Sequence, residues 1–372
     1  MLKIIWFTLF ITLLSASYLT NKSCSECHEG ISQEYQSSYH AKTYFSDELH
    51  KKVADYAASK DHYDCASCHM PSAKNQEELA NGSRKPDSSI ERERDGVSCF
   101  YCHQIAYVKK AHIKNKIIMT RHTEGEKPTL YGSLKDTEES DKHTMTHSPI
   151  YTQYVCTGCH SHKRNSNDVL IFDAMDGNMD SKECIKCHMP LVSGKVEKMD
   201  KKFRTEHHDH SFHGIHSMSM RKKGIELEIS VEGNKIEVSI ENKMPHPFII
   251  QVARLKYLQL TLQRDGKIIW QNYKKSPTED KQGAFKIDFL GADDKPVVIP
   301  AFALKRGFVN NIKAKETKRL VYEVPSLKKG DIITASMYVI LAKPSCWKTL
   351  DLQDSSLKKP MLLKSKIYTI KE

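Results

Sequence analysis

The chain has 372 residues, 39% hydrophobic and 28% charged, a length that predicts about two domains. Its formal charge is +11 at pH 7, yet nucleic-acid binding is not read from it, because the group implied below brings acids of its own. Ten of the eleven cysteines fall in one repeated pattern, which excludes the disulfide framework otherwise expected of an exported chain.

In chain order, Lys3 precedes an apolar stretch from Ile4 to Leu14, and Ser15-Ala16-Ser17 supplies small residues. This pattern predicts a cleaved signal peptide over residues 1–17 and export to the periplasm. The apolar run is short of the roughly 20 residues a membrane span needs; an uncleaved anchor is the alternative. No second long apolar segment follows, so the mature chain is expected not to be integral to the membrane.

Cys-x-x-Cys-His then occurs five times: Cys24-Cys27-His28, Cys65-Cys68-His69, Cys99-Cys102-His103, Cys156-Cys159-His160 and Cys184-Cys187-His188. This pentapeptide attaches c-type haem: each cysteine forms a thioether with a haem vinyl, and the histidine reaches the iron as proximal ligand. Structural zinc takes four ligands, so its Cys-x-x-Cys knuckles work in pairs; five repeats, each with a histidine, do not fit. A thioredoxin-like motif would occur once, beside a βαβ pattern that is absent. The expected cofactors are therefore five covalently bound haem c. Each haem has two propionates, so the holoprotein approaches modest net charge, and the lysines read as propionate partners, solvated surface and a docking patch for acidic redox partners.

So many haems on so short a segment cannot each have an ordinary core. The porphyrins must supply much of the buried apolar mass, packed close together. Breaks such as Asn81-Gly82 and Lys127-Pro128 predict short helices and long loops over residues 18–222.

Fourteen of the 19 histidines lie outside the motifs, more than enough for a sixth ligand on every iron. The candidates are His40, His147, His210 and His246, with His122 the least supported. His143 precedes His147 by four residues, on the same face if the segment is a helix. His162, next but one to His160, is placed to serve only a neighbouring haem. Met70 and Met189 read as packing against porphyrin, and Cys346 as a buried small apolar residue.

Near Arg221 the pattern changes. Gly224–Val231 and Lys235–Ile240 alternate apolar and polar residues around Glu232-Gly233-Asn234, which predicts a β-hairpin. Further strands are predicted at 255–262, 268–273, 285–289, 319–324 and 332–341, with a turn at Asp265-Gly266. The fold class is thus α+β: a mostly helical, loop-rich multihaem domain (18–222), a small antiparallel β-sandwich (223–345), and a Lys-rich surface tail (346–372).

The first part resembles the cytochrome c-554-like multihaem family, which includes a tetrahaem electron acceptor of hydroxylamine oxidoreductase. The resemblance covers roughly residues 20 to 262. It is carried by the haem motifs, Ser38-x-His40-Ala41, Asp95-Gly96-Val97-Ser98 before Cys99, Tyr131-Gly132 with His147 ahead of Cys156, and His210-Ser211-Phe212-x-Gly214. The stretch Glu241 to Phe248, with Arg254 behind it, is similar to a strand motif that presents a haem ligand in relatives with a C-terminal β domain. Here Pro245 stands for the usual glycine and Ile249 for the usual proline. The family's tetrahaem members have one haem fewer, so its haem order and partner do not transfer directly.

The leading functional expectation is a periplasmic electron carrier in anaerobic or nitrogen/sulfur respiration. Its partners would be other redox proteins: a quinol dehydrogenase, a periplasmic reductase or other cytochromes. A homo-oligomer stays open. The alternative is an oxidoreductase acting on a small N- or S-oxyanion or hydroxylamine at a five-coordinate haem. The Cys-x-x-Cys-Lys that usually marks the catalytic haem of pentahaem nitrite reductases is missing, and no catalytic residue is assigned. A third class has the β domain docking a partner or presenting a ligand.

Overall fold

The computed structural model describes residues 18–60, 64–120, 126–138, 140–175, 182–194 and 202–371. The expected signal peptide and His122 lie outside these residues.

The first part is built of short helices, because each haem motif is itself little more than one helical turn. Helices α1 (Asn21–Ser25), α2 (Glu29–Ser37), α3 (Tyr39–Ser46) and α4 (Glu48–Ala58) follow one another closely. Then come α5 (Ala66–His69), α6 (Gln76–Ala80), α7 (Glu91–Arg94), α8 (Cys99–His103), α9 (Lys182–His188) and α10 (Met218–Lys223). Side-chain caps start several of them: Thr20 accepts from Ser23 N, Asp47 from His50 N, and Ser98 from Tyr101 N.

Between the helices lie two-stranded ladders that the alternation of the sequence did not announce. β1 (Ile105–Lys109) pairs antiparallel with β2 (Lys116–Met119), and β3 (Thr129–Gly132) runs parallel to β4 (Thr144–His147). β5 (His162–Arg164) pairs with β6 (Leu170–Asp173), and β7 (Leu191–Ser193) with β8 (Glu206–His208). The segment from His143 to His147 is thus extended and not a helix turn.

The second part is antiparallel β, as expected. β9 (Ile225–Glu232) and β10 (Lys235–Asn242) form the predicted hairpin, with Gly233 at φ +56° in the turn, and β16 (Thr317–Glu323) completes a three-stranded sheet. The larger sheet runs β14 (Pro296–Val297), β13 (Ala284–Leu290), β11 (Leu255–Arg264), β17 (Ile332–Ile340), β18 (Met361–Thr369). β12 (Lys267–Gln271) pairs with β11, and β15 (Lys305–Asn310) with β13. Leu227, Ile236, Val238, Ile240 and Leu320 of the first sheet meet Leu258, Leu260, Phe285, Ile333 and Met337 of the second in one apolar core.

The expected surface tail is corrected by this topology. Residues 361–369 add a strand to β17, and Leu363 is buried in the common core. Before it, α11 (Pro344–Thr349) buries Cys346 among Leu341, Leu350, Leu352 and Leu357, the small apolar role expected of that cysteine.

The two parts are joined by packing. Ala57, with Leu49 and Val53 of α4, joins the Cys346 cluster. Both Glu48 carboxylate oxygens accept backbone N–H groups, from Gln353 and Asp354, at 2.7 Å. Asn165 donates to the Ala303 carbonyl at 2.8 Å.

Candidate haem-binding site

The haem motifs are shaped by one repeated backbone device. In three of them the histidine N–H closes a helical turn on the carbonyl of the first cysteine: His28 to Cys24 at 2.9 Å, His69 to Cys65 at 3.0 Å, His160 to Cys156 at 2.8 Å. Residues four apart on a turn share a face, so cysteine and histidine are presented together. All ten motif cysteines are free thiols, and all ten, with the five motif histidines, line one continuous cavity of about 3890 Å³. That is several times the size of a site for one small ligand. Met70, fully buried, packs with Ala54, Ala66 and Leu79.

Opposite the motif histidines stand other imidazoles. His28 faces His143 with ring centres 6.3 Å apart and planes 25° from parallel. His103 faces His210 at 6.5 Å and 24°, His188 faces His246 at 6.5 Å and 23°, and His160 faces His40 at 5.9 Å and 48°. An imidazole–metal bond is about 2 Å long, so two imidazoles on opposite sides of one metal hold their ring centres about 6 Å apart. Among the described residues His69 and His50 depart from this pattern, at 3.9 Å and 80°, too close to admit an iron between them.

The far nitrogen of several rings is held by a carbonyl, which fixes tautomer and orientation. His103 Nδ1 donates to Tyr131 at 2.6 Å, His210 Nδ1 to His208 at 2.7 Å, His246 Nδ1 to Pro247 at 3.0 Å, and His188 Nδ1 to the His213 carbonyl. Burial pulls His40 down to about 3 and His50, His210 and His246 to about 4. It also lowers His28, His69, His103, His143 and His160. These rings are therefore neutral at pH 7, the form that binds metal. Nδ1 of His40 and of His143 is buried without a hydrogen-bond partner, the kind of atom a bound group explains. Free thiols, facing neutral imidazoles and a large apolar cavity thus fit haem c.

The structure sorts the expected sixth-ligand residues. His40, His210 and His246 each face a motif histidine. His147 does not: it is exposed, with Nδ1 bonded to the Ser133 carbonyl, and the ring opposite His28 is His143. His162 is engaged through Nε2 by the Ala111 and His112 carbonyls. His50, which local sequence did not single out, sits in the first turn of α4 after the Asp47 cap.

The segments that carried the family resemblance have structural jobs. Asp95 accepts from Tyr18 Oη and Asn21 N, both at 2.9 Å, while Asn21 Oδ1 accepts from Cys99 N at 3.0 Å. These bonds tie the first motif to the third. Val97 N donates to the His40 carbonyl at 3.2 Å. Asn242, fully buried, donates to the carbonyls of His246 and Lys313 at 2.9 and 2.8 Å, fixing the loop that carries His246. Glu34 accepts from His210 N at 2.9 Å and contacts His207 Nε2 at 2.7 Å.

Residues 23–104, which contain the first three motifs, match the family model described as cytochrome c554 and c-prime. A pentahaem cytochrome c552 from Thermochromatium tepidum shares the fold, with TM-score 0.72 and 24% identity over 94% of this chain and 98% of that one. A superoxide reductase from Nanoarchaeum equitans, with TM-score 0.15 and 12% identity over 32% of this chain and 83% of that one, is too distant to carry an argument. No match is found among curated proteins. No described helix is long and apolar enough to cross a membrane. The chain thus has the fold of a pentahaem cytochrome and, across its first three motifs, a sequence similar to the cytochrome c554 and c-prime family.

Proposed function

We propose that the chain is a periplasmic pentahaem electron carrier. The observation that carries this reading is the set of four facing imidazole pairs, His28/His143, His103/His210, His160/His40 and His188/His246, around one cavity lined by all five motifs. Haem c supplies one-electron iron chemistry, its potential tuned by ligand, burial and nearby charge. The paired imidazoles would hold each iron between them, and an iron so held would favour passing an electron over binding a substrate.

The attachment points also supply an order. The thiols of Cys24 and Cys99 touch, as do those of Cys68 and Cys159. Cys156 lies within electrostatic reach of both Cys102 and Cys184, and His160 within reach of His188. Numbering haems by motif, the first would adjoin the third, the third the fourth, and the fourth both the second and the fifth. Electrons would enter and leave through other redox proteins of the periplasm, such as a quinol dehydrogenase, a reductase or another cytochrome.

A second reading rests on the His50/His69 pair. At 3.9 Å it leaves the second haem, among the described residues, without an imidazole at ligand distance opposite His69, the arrangement an oxidoreductase for a small nitrogen or sulfur oxyanion or hydroxylamine would use. Titration of the oxidised protein with cyanide and nitric oxide tests both. The carrier reading expects at least four haems that stay low-spin and bind neither. Ligand binding at two or more haems would contradict it. Turnover of nitrite or hydroxylamine with reduced dye, with binding at one haem, would establish the second reading.

A further inference from the structure

Lys256 sits at a register position that otherwise faces the sheet core. Leu258, Leu260 and Leu262 of β11 point from the same face into the common apolar core, since alternate residues of a strand share a side. Lys256 is only 7% exposed. Its ammonium lies 3.9 Å over the centre of the Phe248 ring and donates to the Phe248 carbonyl, which leaves two of its three N–H donors. No carboxylate among the described residues forms an ion pair with it. The nearest charge acting on it is a second cation, Arg254, which lowers it further after burial has done most of the work; together they bring it to about 7. Arg254 is half-buried and lowered to about 10 by desolvation, within the field of Asp47 and Tyr39 but in no ion pair among the described residues.

A buried cation with a second, half-buried cation beside it is costly unless an anion joins them. Both line the haem cavity beside Pro245, His246 and Phe248, and the charge of Lys256 acts on His246. The anion available there is a haem propionate. We propose that Lys256, with Arg254 beside it, anchors a propionate of the haem held between His188 and His246. This rests on the pentahaem reading above. A carboxylate accepts the two free donors of the ammonium, and the bond to the Phe248 carbonyl aims them. The strand that closes the β core thereby also sets the charge around the fifth haem. A positive charge beside a haem stabilises its reduced form, so the pair raises that one potential.

The test is spectroelectrochemistry of the mature holoprotein carrying Lys256→Met, with haem content measured by intact mass. The expected result is five attached haems, one redox wave moved to more negative potential and four unmoved, with Lys256→Arg returning the moved wave towards its wild-type position. Arg254→Gln moves the same wave in the same direction, which keeps the test open if Lys256→Met fails to accumulate. Five attached haems with every wave of both variants in place would overturn the anchor alone. Fewer than five haems on the wild-type chain would overturn the pentahaem reading, and the anchor with it.

Discussion

At the scale of single residues, the account turns on which imidazole faces which. His143 and His147 are four residues apart, yet only His143 stands opposite His28. Replacing His143 with Ala is expected to convert one haem to high spin in the visible spectrum, while His147→Ala leaves the spectrum unchanged, since ligand identity sets spin state; the reverse outcome would remove His143 from the site. Sequence made the motif cysteines and histidines plain, because their chemistry demands contiguous residues. It also pointed to His40, His210 and His246. It did not separate His143 from His147 or find His50, because the far face of a haem is furnished by whatever chain the tertiary fold brings there. The parallel β3–β4 pairing, which turns His147 to solvent, leaves no periodic mark.

At the scale of elements, Gly96 shows why the segment before the third motif has its composition. Its φ is +62°, and a Cβ would lie 2.8 Å from the His40 carbonyl oxygen and 2.9 Å from Thr43 Oγ1. Gly96→Ala is therefore expected to cost more than ~1 kcal/mol, the scale of an alanine forced to positive φ, and to disturb the haem that His40 faces, read as a lower melting temperature with an altered spectrum. In the β part, Lys343 is buried and donates to Asp288 at 2.9 Å and to the Ile287 carbonyl at 2.7 Å. Burial raises the Asp288 carboxyl, but hydrogen bonds from Lys286 and Lys343 outweigh it and hold the group below its ordinary value. Its contribution is therefore full above the unfolded aspartate value near ~3.9 and is lost as pH falls towards the lower folded value. Asp288→Asn should cost about 2 kcal/mol at pH 7, as for a hydrogen bond to a charged group, and the gap from wild type should narrow as the medium is made more acid; a gap in chemical denaturation that does not change with acidification would refute the assignment.

The predicted hairpin and most central strands were legible because one face of each is buried. β18 was not, since Lys364 and Lys366 on its exposed side continue the Lys-rich pattern around them. The short ladders between the haem motifs lack a core face to alternate against.

At the scale of the molecule, the chain has two kinds of interior. The β part has a conventional apolar core between sheets. The haem part has small clusters around a large cavity, so its folding must depend on the cofactor. Without haem attachment, the first part is expected to lose protease resistance well before residues 225–371, as segments with few buried apolar contacts open first; equal resistance in limited proteolysis would contradict this. The arrangement of imidazoles is the central claim, and quantitative electron paramagnetic resonance of the fully oxidised protein tests it most directly. At least four low-spin irons per chain are predicted, with high-spin iron confined to the haem attached through His69. High-spin signal from two or more irons per chain would contradict the four facing pairs.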